Sequence, residues 1–430
     1  MMCKLGDLIS IKHGYPFDGE DIVEDDNGVV LVTPGNFRIG GGFQEDKCKY
    51  FKGDYPDEYV LPEGALIVTM TDLSKQCDTL GYSAIIPKSN KIYLHNQRIG
   101  LVDIKSNLVS KDYLHWFMRT DYYQKKIALT SSGSNVHHTS PDRIYDVDIE
   151  LPTIEVQSKI SNTLSSLESK INLNTSICSD LESMAKLLYD YWFVQFDFPD
   201  ENGRPYKSSG GKMVWNDELK REIPEGWMVV ELEKCIDTII DRRGVTPKKL
   251  GGDWVKNGII ALSAKVVKNG RLLDLSNANR VSRELYNKWM TQKLINGDIL
   301  MTSEAPLGEF YYMYDEPDYC LSQRLFAIRA NKKVSSLYLY YELSQGNGIS
   351  QIKGKSSGST VFGIRQDELR RVKVLIPDKE IMTDFEKKAI SFVAKNHILN
   401  KENQELASLR DFLLPMLMNG QIKIEDVKAS

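Results

Sequence analysis

Cysteine is scarce and scattered in this chain. The six residues Cys3, Cys48, Cys77, Cys178, Cys235 and Cys320 form no C-x-x-C pair and stand beside no histidine cluster of zinc-ligand spacing. That excludes a disulfide scaffold and a structural zinc site, and leaves free thiols suited to a reducing cytosol. Long apolar runs are missing too. No window approaches 18 uninterrupted apolar residues, and the start MMCKLGDLIS has no apolar stretch behind a basic end, so neither membrane spanning nor secretion is expected and a cytoplasmic location is. Charge of one sign is also lacking, since 55 Lys+Arg against 59 Asp+Glu leave a net −4 over 430 residues. With 41% hydrophobic and 27% charged residues, this is folded-protein composition, and the length suits two to four domains.

Catalytic signatures are absent as well. There is no H-E-x-x-H helix and no G-x-G-x-x-G after a strand. The stretch from Gly348 to Gly354-Lys355-Ser356 imitates a phosphate loop but carries five intervening residues where the motif needs four. Pro377-Asp378 with Glu386-Lys387-Lys388 hints at a metal-dependent nuclease, yet Ser161 stands where the other half of the chain would repeat Glu386. His137 and His138 are adjacent and would point apart on a strand, with no third ligand nearby. The Asp/Asn-Pro-Pro-aromatic tetrapeptide of adenine N6-methyltransferases is missing. The pattern is that of a binder, with no catalytic residue and no metal site expected.

What the sequence does contain is a copy of itself. Ser131-Ser132-Gly133-Ser134-Asn135-Val136 matches Ser356-Ser357-Gly358-Ser359-Thr360-Val361, and Leu151-Pro152 with Glu155 matches Ile376-Pro377 with Glu380. Upstream, Asn96-Gln97-Arg98-Ile99 matches Ser322-Gln323-Arg324-Leu325, and Glu63-Gly64-Ala65-Leu66-Ile67-Val68-Thr69 resembles Asn296-Gly297-Asp298-Ile299-Leu300-Met301-Thr302. Four blocks in one order indicate a duplicated domain, not a solenoid of 20–50-residue repeats.

Each half opens with a Val-, Ile-, Tyr- and Phe-rich region broken by Gly, Pro and Asn, which reads as short strands with intervening helices. Each then passes a proline and turns helical. From Ile160 the positions Leu164, Leu167, Ile171, Asn174, Cys178, Leu181, Ala185, Leu188 and Trp192 alternate steps of four and three, a coiled-coil seam. The second copy gives Phe385, Ala389, Phe392, Asn396, Leu399, Asn403, Leu406, Arg410, Leu413 and Leu417, with Pro415 expected to kink or end the helix near its last turn. Pairing the two helices buries both stripes, and Asn174, Asn396 and Asn403 would help fix register; the alternative is two separate surface helices, each packed on its own domain. Leu187, Leu188, Tyr191, Trp192 and Phe193, with Phe412, Leu413, Met416 and Leu417, are expected near helix ends where domains or partners pack. Residues 196–226, rich in Pro, Gly and polar residues, read as a connector.

Positive charge gathers locally. Between Arg242 and Lys293 twelve Lys/Arg face three acids, a surplus of nine, interleaved with Trp254, Tyr286 and Trp289, as expected where phosphates and bases are both near. Matched polar loops add candidates able to read base edges. The candidate DNA-binding residues of the first half are Asn36, Arg38, Lys47, Lys49, Gln97, Arg98, Ser134 and Asn135. Those of the second half are Arg242, Arg243, Lys248, Lys265, Lys268, Arg271, Arg280, Gln323, Arg324, Ser359, Thr360 and Arg365.

In this arrangement the chain resembles the DNA-specificity subunit of a type I restriction-modification system. The motifs that carry the likeness are Leu151-Pro152 with Glu155 and Gln157, the run Phe193-Val194-Gln195-Phe196-Asp197-Phe198-Pro199, then Gly203, Pro205, Tyr206 and Ile223-Pro224-Glu225-Gly226-Trp227. The second copy departs from the family pattern at Asp378-Lys379-Glu380-Ile381-Met382, where a further proline and a glutamine are usual. The resemblance implies an α+β fold of two tandem mixed α/β target-recognition domains, 1–152 and 227–377, separated by two long antiparallel coiled-coil helices, 153–195 and 378–418, with approximate two-fold symmetry. A connector at 196–226 and a tail at 419–430 complete it. It also implies a non-catalytic subunit that reads a bipartite site on double-stranded DNA. Two methyltransferase subunits using S-adenosylmethionine and two motor-nuclease subunits using ATP and Mg2+ would dock on it, and no cofactor would be held by this chain. Helices of ~40 residues are roughly 60 Å long and would act as a ruler between half-sites. A scaffold or antirestriction decoy that binds partners without reading sequence, and an unrecognised nuclease, are the other classes this pattern admits.

Overall fold

A computed structural model describes residues 1–72, 74, 76–133, 136–315, 318–358 and 361–422. It divides into two units, Met1–Leu173 with Asn403–Ser430 and Asn174–Glu402, so both divisions fall inside the long helices.

The first unit is built on an antiparallel sheet in the order Ile9–His13, Ile99–Ile104, Leu66–Thr69, Ser83–Ile85. Leu66–Thr69 is buried at every position, which fits an apolar run covered on both faces. Beside it, Val29–Val32 pairs parallel with Ile92–His95 and antiparallel with Lys49–Phe51, while Met2–Lys4 pairs with Asp148–Glu150. Helix Lys111–Phe117 starts where the Ser110 hydroxyl accepts the Tyr113 N–H, satisfying one of the orphan donors of its first turn. Its Tyr113, Leu114 and Trp116 join Leu5, Val68 and Tyr123 in the core.

The second unit repeats this plan. Its sheet runs Ile236–Asp241, Leu325–Ala330, Ile299–Thr302, Phe310–Tyr312, all antiparallel. Ile259–Leu262 pairs parallel with Cys320–Leu321, Met228–Glu231 pairs with Lys373–Ile376, and Ser335 caps helix Ser336–Ser344 by accepting the Tyr338 N–H. Ser335 and Tyr338 stand 225 positions after Ser110 and Tyr113. The duplication read from short motifs extends through strand order, the sense of each pairing and a helix cap.

The long helices are Ile154–Tyr189, continued by a wider turn at Asp190–Val194, and Lys379–Met418. In the first unit Ile160 and Leu164 are buried with Leu413 and Leu417, and Glu168 faces Arg410 at 3.6 Å. In the second unit the Asn396 amide donates to Cys178 O at 3.2 Å, and Trp192 packs on Phe385. Numbers rise on one helix as they fall on the other, so the pairing is antiparallel in each unit. Both seams are buried or half-buried at every position named for them. The fully buried Asn174 donates to Glu402 Oε2 at 2.7 Å, a polar pair that an apolar seam slipped along its length would leave unmade.

Two expectations need correction. Pro415 does not end its helix, which runs on to Met418. A proline costs the helix one N–H bond, and the actual stop is Gly420, left-handed at φ 67°, with Gln421 N–H on Met416 O at 2.9 Å. The segment 196–226 is also more than a crossing strand. Phe196, Phe198 and Ile223 are buried, Phe198 stacks on Tyr206 at 4.6 Å and on Trp227 at 5.0 Å, and Met213–Asn216 forms a hairpin with Arg221–Pro224. Its aromatics bury enough apolar surface to offset the cost of ordering a glycine-rich backbone.

Candidate nucleic-acid interface

In both units the sheet ends in loops tied together by the same backbone bonds. In the first unit Met70 N–H donates to Arg98 O at 2.9 Å and Thr139 N–H to Met70 O at 3.0 Å, while Ser132 and His138 exchange N–H···O bonds of 3.0 and 2.9 Å. In the second, Ser303 N–H donates to Arg324 O at 2.8 Å and Ile364 N–H to Ser303 O at 3.0 Å, while Ser357 and Gly363 exchange bonds of 2.9 and 3.1 Å. A side chain on Gly133 or Gly358 would strike the carbonyl of Val136 or Val361 at 1.9 or 2.0 Å. The serine-glycine motif therefore marks a loop that closes on itself.

The frame keeps a Gln-Arg turn in both units and varies the side chains around it. Gln97 and Arg98 are exposed on a turn that Asn96 Oδ1 closes by accepting the Arg98 N–H at 3.0 Å. Thr71 Oγ1 lies 3.2 Å from His138 Nδ1. Asp72 is buried, which acts to raise its pKa, but N–H donors from Ser74 and Thr79 outweigh this and hold the carboxylate below its usual range. In the second unit Gln323 and Arg324 are exposed, and Arg324 is left-handed at φ 64° with Nε 3.2 Å from Glu304 Oε1. Ala264 N–H donates to Gln323 O at 3.3 Å, which sets exposed Lys265 beside this turn. Exposed Arg365 leaves the same loop group. Ser134, Asn135, Ser359 and Thr360 lie outside the described residues.

Other candidates are placed elsewhere. Asn36 is fully buried; its Oδ1 accepts the Thr33 N–H at 2.9 Å and its Nδ2 donates to Gln44 O at 3.2 Å, so it closes a loop and presents nothing to a base. Arg38 is exposed but donates to Asn172 of the first long helix at 3.2 Å, and Lys47 and Lys49 are exposed. Arg271 pairs with Glu182 at 3.0 Å. It faces Lys268 across a hairpin turned by Asn269 and Gly270, both at positive φ, the two-residue turn that Asn-Gly favours. Arg243 pairs with Asp241 at 2.7 Å and lies over the Phe326 ring. Arg280 donates to the carbonyls of Gly258 and Leu275, and Arg242 donates to Thr291 Oγ1. Much of the local cation surplus is thus held by neighbouring groups, whereas Lys248, Lys265 and Lys268 are exposed.

Sequence reasoning weighed His138 only as a metal ligand and passed over Glu304 and Phe362, which share the loop frame with the chosen residues. The signal was present, because each stands next to a matched block. Among the described residues no group of His, Cys, Asp or Glu could hold a metal, and no helix is long and apolar enough to cross a membrane. All six cysteines are free, and burial pushes Cys235 and Cys320 up to about 12.

Away from the loops, the long helices carry a second apolar stripe. Leu173, Met184, Leu187 and Tyr191 are exposed on the first, and Ile398, Leu409 and Phe412 on the second, with Met416 half-buried. Leu187 is 66% and Phe412 55% exposed. The two sets are again 225 positions apart. Of the residues expected to pack at helix ends, Trp192, Phe193, Leu413 and Leu417 are core and Leu187, Tyr191 and Phe412 are not.

Gln157 explains one departure between the copies. It is fully buried, donates to Leu108 O at 2.7 Å and Pro152 O at 3.0 Å, and accepts the Ser110 N–H at 2.9 Å. It clamps the helix start to its domain, whereas the buried Met382 fills the same place by packing.

Comparison with known proteins agrees with this architecture. The family model for the type I restriction modification DNA specificity domain matches residues 1–183 and again 224–408. The HindI specificity subunit of Haemophilus influenzae is 24% identical over 77% of this chain and 81% of its own length. The MjaIX specificity subunit of Methanocaldococcus jannaschii is 24% identical over 86% and 80%. The S subunit structure from M. genitalium superposes with a TM-score of 0.59 at 13% identity, covering 97% of this chain and 95% of that one, a likeness of fold. With its two matched domains in tandem, the chain belongs to the type I restriction-modification DNA-specificity family.

Proposed function

We propose that this chain is the non-catalytic specificity subunit of a type I restriction-modification complex and reads a bipartite, asymmetric site on double-stranded DNA. Each unit reads one half-site. The observation that carries this is the duplicated loop frame, which keeps its backbone bonds and its Gln-Arg turn while other side chains change from Thr71, His137 and His138 to Glu304, Phe362 and Gly363. One scaffold bearing two sets of donors and acceptors is what reading two different sequences requires. The gap between half-sites is set by the paired helices, each of them continuous.

The matched exposed stripes on those helices support two copies of one partner. Exposed apolar residues at helical spacing suit docking by another helix. We assign the stripes to two methyltransferase subunits, which bring S-adenosylmethionine, with two motor-nuclease subunits bringing ATP and Mg2+ to the same cytoplasmic assembly. Co-expression with a methyltransferase encoded beside it, followed by mapping of N6-methyladenine across the host genome, tests the reading. A bipartite motif with a fixed gap is expected. Methylation without sequence preference, despite a stable complex, would mean a scaffold or decoy.

A further inference from the structure

Val361 and Phe362 are 46% and 60% exposed, although they lie in a loop whose other described members are polar or glycine. An adjacent valine and phenylalanine left in water is a costly arrangement unless something covers them. The loop beneath them is well anchored. Ser357 and Gly363 are joined by two backbone bonds, Ile364 N–H is held by Ser303 O, and Gly358 leaves no room for a side chain against Val361 O. Phe362 is therefore held outward on a fixed base.

Charge surrounds it. Gly363 bridges to Glu304, whose carboxylate holds Arg324. Lys353 and Lys355 precede the loop and Arg365 follows it. Cations in such positions neutralise phosphates, and between the phosphates of a duplex the apolar surface that can bury a whole ring is the face of a base pair. We propose that Phe362 inserts between adjacent base pairs of the half-site read by the second unit and opens that step, with Val361 packed against the neighbouring sugar. This rests on the reading of the loop frame as a DNA interface. The equivalent residue of the first unit is His137, a half-buried imidazole, so insertion of an apolar ring belongs to one half-site alone.

The test uses the full-length chain and a duplex carrying the methylated motif, with 2-aminopurine placed in turn along each half-site. Binding is expected to raise fluorescence at one step of the second half-site and at none of the first. Phe362→Ala should abolish that rise and weaken binding roughly ten-fold or more, the range for losing one ring–base contact, with the salt slope unchanged because no phosphate contact is lost. Phe362→Leu should restore part of both signals, which separates insertion from a folding defect. A rise that persists in Phe362→Ala at unchanged affinity overturns the proposal. So does a variant that keeps duplex binding but loses a protein partner. If the unaltered chain binds motif and scrambled duplexes equally, the DNA-interface reading itself has failed.

Discussion

Arg324 adopts φ 64°, a region where a side chain costs about 1–2 kcal/mol relative to glycine. Its pairing with Glu304 at 3.2 Å is half exposed and so returns only about 0–1 kcal/mol. The strain is not repaid locally, which points to a role for the guanidinium outside the fold. Arg324→Gly is expected to keep or slightly raise the denaturation midpoint, while DNA affinity falls about ten-fold and the salt slope drops by about one. Unchanged affinity would remove Arg324 from the interface. Glu342 makes a different residue-level claim. Burial raises its pKa to about 7, against the opposing effects of Tyr189 and the Leu375 N–H. Because the folded value lies above the usual 4.5, the folded chain holds a proton that the unfolded chain releases between those limits. Its contribution is complete below about pH 4.5 and is lost as pH rises through about 7, on the order of 3 kcal/mol. Glu342→Gln should flatten this slope in denaturant titrations at pH 5 and pH 8; an unaltered slope would mean that another group titrates. The sequence offered Arg324 as a candidate without its strain, and did not mark Glu342 at all. A glutamate in an apolar helix and an arginine in a turn acquire their roles only when Tyr189 and Glu304 arrive from 153 and 20 positions away.

At the scale of elements, much more was legible. Both seams follow from spacing alone, because steps of three and four put Leu164, Cys178 and Trp192 on one face and Phe385, Leu399 and Leu413 on another. The serine-glycine loops were legible too, for Gly133 and Gly358 are required by carbonyls within about 2 Å of any added carbon. What composition concealed was the connector, where burial of Phe196, Phe198 and Ile223 outweighs the turn-forming residues around them. The basic segment misled in the opposite direction, since residue type cannot show that Arg243 and Arg271 meet Asp241 and Glu182. The helices carry the element-scale prediction. Inserting one heptad into each adds about 10 Å and should lengthen the gap in the methylated motif by about three base pairs, at 3.4 Å per pair. An unchanged gap would show that the helices do not set it.

Taken whole, the molecule is one architecture written twice, down to the serine that caps an equivalent helix in each unit and the bonds that tie equivalent loops. The two copies diverge in different ways. Gln157 against Met382 changes how a helix is fastened and leaves the backbone plan alone, whereas His137 against Phe362 and His138 against Gly363 change what the loops present. Divergence of the second kind is what would let a single chain recognise an asymmetric sequence while its matched helical stripes receive identical partners. The most direct test replaces residues 227–377 with a second copy of residues 1–152 and maps N6-methyladenine in cells carrying the methyltransferase. The account predicts that the first half-site persists and now occurs twice, as an inverted repeat across the same gap. Retention of the original asymmetric motif would contradict it.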